Sequence, residues 1–188
     1  DVWSKREFFR VDLRVGTPPD DFSDTGQDWG LPAYDWAALE RDELSWLEER
    51  ARRAGALFDL YRLDHVIGFY RTYFRSDDGR EGFLPEDEPE QIRLGESILG
   101  RMLRSGRIVA EDLGTVPEFL PPSLARLEVP GYRVLRWDKQ NEVHRDPKTW
   151  PELSVATNST HDLETTAEWY DGLTVAERVA PLTVPRPS

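Results

Sequence analysis

Leu57-Phe58-Asp59-Leu60-Tyr61-Arg62-Leu63-Asp64-His65-Val66 is the stretch from which the fold is read. It follows a helical pattern that stops at Gly55, and it is dense in apolar and aromatic residues, so it predicts a strand over Leu57 to Val66. Side chains alternate across a strand, which puts Arg62 and Asp64 on one face and Tyr61 and Leu63 on the other. The carboxylate of Asp64 then stands at the strand's C-terminal end, where α/β barrels collect the residues that do their chemistry.

Two further stretches repeat the arrangement. Arg107-Ile108-Val109-Ala110-Glu111-Asp112-Leu113-Gly114 is a short apolar run that ends in a carboxylate, and Leu153 to Thr157 is followed by Asn158-Ser159-Thr160-His161-Asp162. Tyr132 to Trp137 supplies one more strand. Between the strands lie helical patterns: one helix from Trp36 to Ala54, a second from Glu90 to Arg104, a third beginning near Pro117 and started late by Pro121 and Pro122, and a fourth over Leu163 to Tyr170. Strand and helix alternate four times without a hairpin signal, which predicts parallel strands joined by crossover helices. The expected fold is α/β, a partial TIM-type (β/α)8 barrel of about four parallel strands.

The 188 residues fall below the roughly 250 that a closed barrel uses, so a piece of a barrel is expected. One catalytic domain over residues 1–180 and an unstructured tail over 181–188 complete the division. Residues 16–35, rich in Gly, Pro and Asp, read as a long loop near the N-terminus, with Phe22, Trp29 and Tyr34 to order it. Residues 75–90, with Asp77-Asp78-Gly79, read as another.

Composition narrows the chemistry. A formal charge of −12 opposes a polyanionic partner, because nucleic-acid binding needs clustered Lys and Arg. Seven Trp and six Tyr offer flat apolar faces with polar edges that suit a neutral polyhydroxylated substrate. The absence of cysteine excludes disulfides and thiolate catalysis and is compatible with the cytoplasm. No apolar run has the length of a membrane span. The histidines, His65, His144 and His161, lack a close ligand pair, so neither metal nor cofactor is expected.

Each acid has a functional and a structural reading. Asp64, held ionised by Arg62, is a competent nucleophile toward an anomeric carbon; alternatively the two form a structural pair in the sheet. Glu111, beside an apolar wall, has the raised pKa a general acid needs; alternatively Glu111-Asp112 caps a helix after Gly114. Asp162 can hold sugar hydroxyls and offset an oxocarbenium-like charge while His161 donates to a neighbouring hydroxyl; alternatively Thr160 or Asp162 caps the last helix.

In this order on successive strands, the motifs resemble one family: the amylomaltases, also called 4-α-glucanotransferases or disproportionating enzymes, relatives of the α-amylases. The resemblance rests on Pro18-Pro19-Asp20-Asp21-Phe22-Ser23 with Thr25-Gly26-Gln27-Asp28-Trp29-Gly30, on Arg62-Leu63-Asp64-His65, on Ala110-Glu111-Asp112-Leu113-Gly114 and on Thr160-His161-Asp162. It implies retaining transfer of α-1,4-glucan segments between maltooligosaccharides without a cofactor. By that resemblance Asp64 is the nucleophile, Glu111 the acid/base and Asp162 the transition-state stabiliser. Arg62 and His161 position the nucleophile and the sugar, Trp29 flanks the acceptor side and excludes water, and His65 and Asp20 complete the substrate-binding set. The rival expectations are an amylase-type hydrolase and a non-catalytic glucan-binding remnant. Two departures stand out: Val66-Ile67-Gly68 where many relatives have Phe-Arg-Gly, and Asn158 where glycine is frequent. The resemblance marks the chain as the central part of the barrel.

Overall fold

The computed structural model describes residues 1–19, 23–140 and 143–179. It divides into two compact units, Asp1–Val129 and Pro130–Ser188. The first unit runs through β1 (Phe9–Thr17), β2 (Gln27–Tyr34), α1 (Trp36–Arg41), α2 (Ser45–Leu57), β3 (Leu60–Leu63), β4 (Thr72–Ser76), β5 (Glu81–Leu84), α3 (Glu88–Met102), β6 (Arg107–Ala110) and α4 (Leu120–Arg126). The chain is thus a mixture of helix and sheet, as expected.

β3 and β6 pair in parallel, with Leu60 opposite Arg107 and Leu63 opposite Ala110. Ile108, Val109 and Ala110 are all buried, the pattern of a strand covered on both faces. Helix α3 contributes to the same core as Ile108 and Ala110. Its Leu94, Ile98, Leu99 and Met102 recur at helical spacing and are buried. They join Leu47 and Ala51 of α2, Val66 and Tyr70 in one core beneath the two strands.

The largest sheet was not foreseen. It is antiparallel, in the order β2-β1-β4-β5, and it corrects the expectation of parallel strands throughout. The segment read as a loop over 16–35 holds the end of β1 and all of β2. Its Gly and Pro are edge-strand devices: β2 pairs only with β1, an edge tolerates Pro32, and Gly16 lies at a register shift. A Cβ on Gly16 would stand 1.8 Å from the Gln27 carbonyl oxygen, so no other residue allows that approach.

The loop expected over 75–90 contains a hairpin instead. β4 and β5 pair antiparallel around Asp77-Asp78-Gly79-Arg80, with Gly79 in a left-handed conformation at φ +85°. An Asp-Gly pair between apolar runs is a hairpin signal, so the absence of hairpins is also corrected.

The single helix expected over Trp36 to Ala54 is two helices. Glu43 and Leu44 both take positive φ, and the fully packed side chain of Leu44 offsets that strain by filling the core. The third helix does start late, at Leu120, with prolines in its first turn.

In the second unit, β7 (Gly131–Val134), β8 (Lys139–Gln140), β9 (Val143–His144) and β10 (Ser154–Thr157) precede α5 (Thr166–Gly172) and α6 (Val175–Val179). β7 and β10 pair in parallel from Gly131–Ser154 to Val134–Thr157. Their connection carries the β8–β9 hairpin and a short 3-10 turn at Pro147–Thr149 rather than the expected crossover helix. The tail over 181–188 lies outside the described residues.

Gly95 tests the core. A Cβ there would meet the Tyr70 ring at 2.2 Å, and Tyr70 is wholly buried. Gly95→Ala gains about 1 kcal/mol in helix propensity, whereas overpacking costs about 1–3 kcal/mol or more. The expected net is destabilisation of the full-length protein by about 2 kcal/mol, read from its urea midpoint.

Candidate active site

The hydrogen-bond ladder between β3 and β6 continues one step past both strands. The Glu111 N–H donates to the Leu63 carbonyl at 2.9 Å, and the Val66 N–H donates to the Glu111 carbonyl at 3.0 Å. Backbone pairing therefore sets Glu111 beside the Asp64-His65 turn without any help from side chains.

At that turn His65 takes a left-handed conformation, φ 46° and ψ 56°. Its N–H donates to Glu111 Oε2 at 2.7 Å, and the Leu113 N–H donates to Glu111 Oε1 at 3.0 Å. Each carboxylate oxygen is thus fixed by one backbone donor, which sets the plane of the carboxyl group. No helix begins until Leu120, so Glu111 is not the helix cap that was its alternative reading. The neighbouring Asp112 is itself buried.

Arg62 links the two acids. Its Nη1 lies 2.6 Å from Asp64 Oδ1 and its Nη2 lies 3.9 Å from Glu111 Oε2. One guanidinium therefore reaches both carboxylates. Their environments differ: the Asp64 side chain is 75% exposed and that of Glu111 only 12%.

Burial pushes the Glu111 carboxyl above its ordinary value of 4.5. The N–H bonds from His65 and Leu113 and the charge of Arg62 oppose that rise, and the charge of Asp64 adds to it. A buried carboxyl group with a raised pKa beside an exposed carboxylate is a usual basis for one acid and one nucleophile. Burial also lowers the pKa of His65, partly offset by Asp64, so its ring favours the neutral form.

Trp29 packs edge-on to the His65 ring at 5.0 Å between centroids. The residue expected on a loop is on β2, an edge strand. Its Nε1 donates to Gln27 Oε1 at 2.8 Å, and the adjacent Asp28 pairs with Arg14 at 2.8 Å. Gly68 leaves room for the His65 ring, because a Cβ there would approach His65 Cδ2 to 3.0 Å. The structure thus brings together Arg62, Asp64, His65, Glu111 and Trp29. Asp20 lies outside the described residues.

His161 and Asp162 belong to the second unit, in the turn after β10. The ring and carboxylate are 3.4 Å apart and both side chains are more than two-thirds exposed. Thr165, not Thr160 or Asp162, caps α5, in a capping box with Glu168. Asp162 is therefore not spent on capping. Among the described residues no group of three or more His, Asp or Glu could hold a metal ion, and no helix is long and apolar enough to cross a membrane.

The residue that sequence reasoning missed is the backbone of His65. A left-handed non-glycine residue leaves no mark in composition, although its place between a strand end and Gly68 is compatible with a sharp turn.

Comparison with known proteins adds an independent line. The family model Glyco_hydro_77, 4-alpha-glucanotransferase, matches residues 1–184. The chain is 38% identical over 175 residues to the 4-alpha-glucanotransferase of Chlamydia pneumoniae, covering 90% of this chain and 33% of that protein. It is 32% identical over 197 residues to the chloroplastic/amyloplastic 4-alpha-glucanotransferase of Solanum tuberosum, covering 95% and 32%. The structure is similar to that of an amylomaltase from Streptococcus agalactiae in complex with acarbose, with a TM-score of 0.78 at 27% identity, over 100% of this chain and 40% of that one. The chain spans about a third of the length of the curated relatives it matches.

The charges around Glu111 make a two-sided prediction. Asp64→Asn removes the neighbouring negative charge and lowers the Glu111 pKa, whereas Arg62→Gln removes the positive one and raises it. Carbon-detected NMR titration of the Glu111 carboxyl in each variant reads both shifts, with the midpoint of the unmutated protein above 4.5.

Proposed function

We propose, from the premise that the chain belongs to the Glyco_hydro_77, 4-alpha-glucanotransferase, family, that it carries the catalytic carboxylates of an enzyme moving α-1,4-glucan segments between maltooligosaccharides. The observation that carries the reading is the pair of acids on one guanidinium, with Glu111 buried and Asp64 exposed.

Asp64 attacks the anomeric carbon while the proton of Glu111 passes to the leaving glycosidic oxygen, which leaves a covalent glycosyl-enzyme. Retaining enzymes hold two such carboxyl groups about 5 to 5.5 Å apart, and Arg62 reaches both of them here. Once Asp64 is esterified its negative charge is gone. The repulsion from Asp64, a lesser contribution than burial to the raised Glu111 pKa, then disappears, which favours the ionised form of Glu111 as it turns to deprotonating the 4-hydroxyl of an incoming sugar. Loss of its partner's charge helps the same residue serve as acid and then as base.

Asp162 is assigned the stabilisation of the oxocarbenium-like transition state and His161 a hydrogen bond to the sugar, on the strength of the Thr160-His161-Asp162 motif and its place after a parallel strand. Trp29 and His65 form an aromatic wall over the acceptor side that favours a sugar over water, and Asp20 belongs to the same substrate-binding set. β3, β6, β7 and β10 are assigned as strands of a (β/α)8 barrel, within one catalytic domain over residues 1–180. A cytoplasmic location accords with the absence of cysteine.

Incubation of the full-length protein with maltotriose, followed by separation of products by length, tests the function. The expected result is glucose plus a ladder of longer maltooligosaccharides, reduced at least about a thousandfold in Asp64→Asn, where no nucleophile remains. Release of glucose and maltose without longer products overturns transfer in favour of hydrolysis. Trp29→Ala is expected to raise the hydrolytic share of the products while leaving the first, bond-breaking half-reaction in place.

A further inference from the structure

Arg136 lies two residues past the end of β7, and its side chain is only 5% exposed. Its Nη1 donates to the carbonyl of Glu164 at 3.2 Å and to the Glu164 carboxylate at 3.1 Å. The indole of Trp169 lies beneath the guanidinium, 4.7 Å from its carbon to the ring. Nε and Nη2 are buried without a hydrogen-bond partner.

As a stabilising device this arrangement is poor. A buried guanidinium with two unsatisfied donors carries a desolvation cost, and its carboxylate partner is about half exposed. Apolar side chains of similar size in place of buried ion pairs are often neutral or better for stability. The geometry offers another use. The Leu135 N–H donates to the Thr157 carbonyl at 2.9 Å, so the chain leaves β7 and β10 in register, and Arg136 follows at once on one side. On the other side the chain passes through Thr160, His161 and Asp162 before returning at Glu164 to the guanidinium.

The far end of that turn is thereby tied to β7. At its near end the Thr157 hydroxyl donates to the Ser159 carbonyl at 2.7 Å and accepts from the Ser159 N–H at 3.3 Å. Between the two anchors, His161 and Asp162 have exposed side chains whose side-chain contact among the described residues is with each other. The exposed pair depends on its backbone being held.

We propose that Arg136 is a positioning residue for the transfer reaction, clamping through Glu164 the turn that presents His161 and Asp162. The proposal rests on the role given to Asp162 above. It concerns reaction of the bound sugar, not its capture: a loosened turn misplaces the group that stabilises the transition state, and misplacement of about 1 Å can cost as much as 100-fold.

The test uses the full-length protein and Arg136→Met, which preserves apolar bulk over Trp169 while removing the clamp, with Arg136→Lys as the conservative partner. Maltotriose disproportionation is measured as kcat and KM, beside the melting temperature and backbone hydrogen exchange over residues 158–165. The expected result in Arg136→Met is a kcat lower by about 10- to 100-fold with KM within about twofold, faster exchange confined to the turn, and a melting temperature within a few degrees. Arg136→Lys, which keeps one donor near Glu164, recovers part of the kcat.

Unchanged exchange over the turn overturns the clamp. Faster exchange with unchanged kcat, or a kcat loss matched by global destabilisation, overturns the positioning role and leaves a structural one. If the unmutated protein has no transferase activity, the functional reading fails and the positioning role with it, whereas the exchange data still report whether the turn was clamped.

Discussion

The parallel pairing of β3 with β6 is the constraint on which the site depends. Two backbone hydrogen bonds beyond the last strand residues carry the register past Leu63 and Ala110, and they set Glu111 against the Asp64-His65 turn. Everything chemical at this end of the first unit follows from that adjacency. The His65 N–H reaches Glu111, Arg62 spans both acids, and Trp29 meets the His65 ring. A shift of one residue would turn every side chain of β6 to the opposite face. The buried Ile108 and Ala110 resist such a slip, because it would turn both away from the core they help to form.

The electrostatics divide labour between two acids of similar intrinsic strength. Asp64 is in water with a guanidinium beside it; Glu111 is nearly dry and receives two backbone donors, which oppose its desolvation without overcoming it. Removal of the Asp64 charge is therefore felt at Glu111, as a lesser contribution beside its burial. In the proposed double displacement that coupling favours one buried carboxyl group for both halves.

Much of this was legible in the sequence, for identifiable reasons. The run Ile108–Ala110 is apolar because that parallel strand is covered on both faces, and the carboxylates after it and after Leu60–Leu63 interrupt the apolar pattern sharply. Helix α3 announced itself by the spacing of its buried residues. The antiparallel sheet was hidden because β1, Phe9–Thr17, alternates apolar residues with the charged Arg10, Asp12 and Arg14, and β2 contains Gly30 and Pro32, which usually mark loops. The break between α1 and α2 had no signal, because Glu43 and Leu44 take left-handed conformations that only tertiary burial of Leu44 makes tolerable. Arg62, Asp64 and Glu111 were identifiable as residues, but the backbone donors that hold Glu111 were not.

A covalent bond to Asp64 is the step that distinguishes a nucleophile from a carboxylate that only binds substrate. Glu111→Gln slows departure of any glycosyl group from the enzyme, and an α-maltosyl fluoride donor needs no acid to leave. Intact-mass and peptide mass spectrometry of the full-length Glu111→Gln protein after exposure to that donor should show a single maltosyl adduct on the peptide containing Asp64. No adduct, or an adduct on another carboxylate, would contradict the assignment of Asp64 and Glu111 as a nucleophile and acid/base pair.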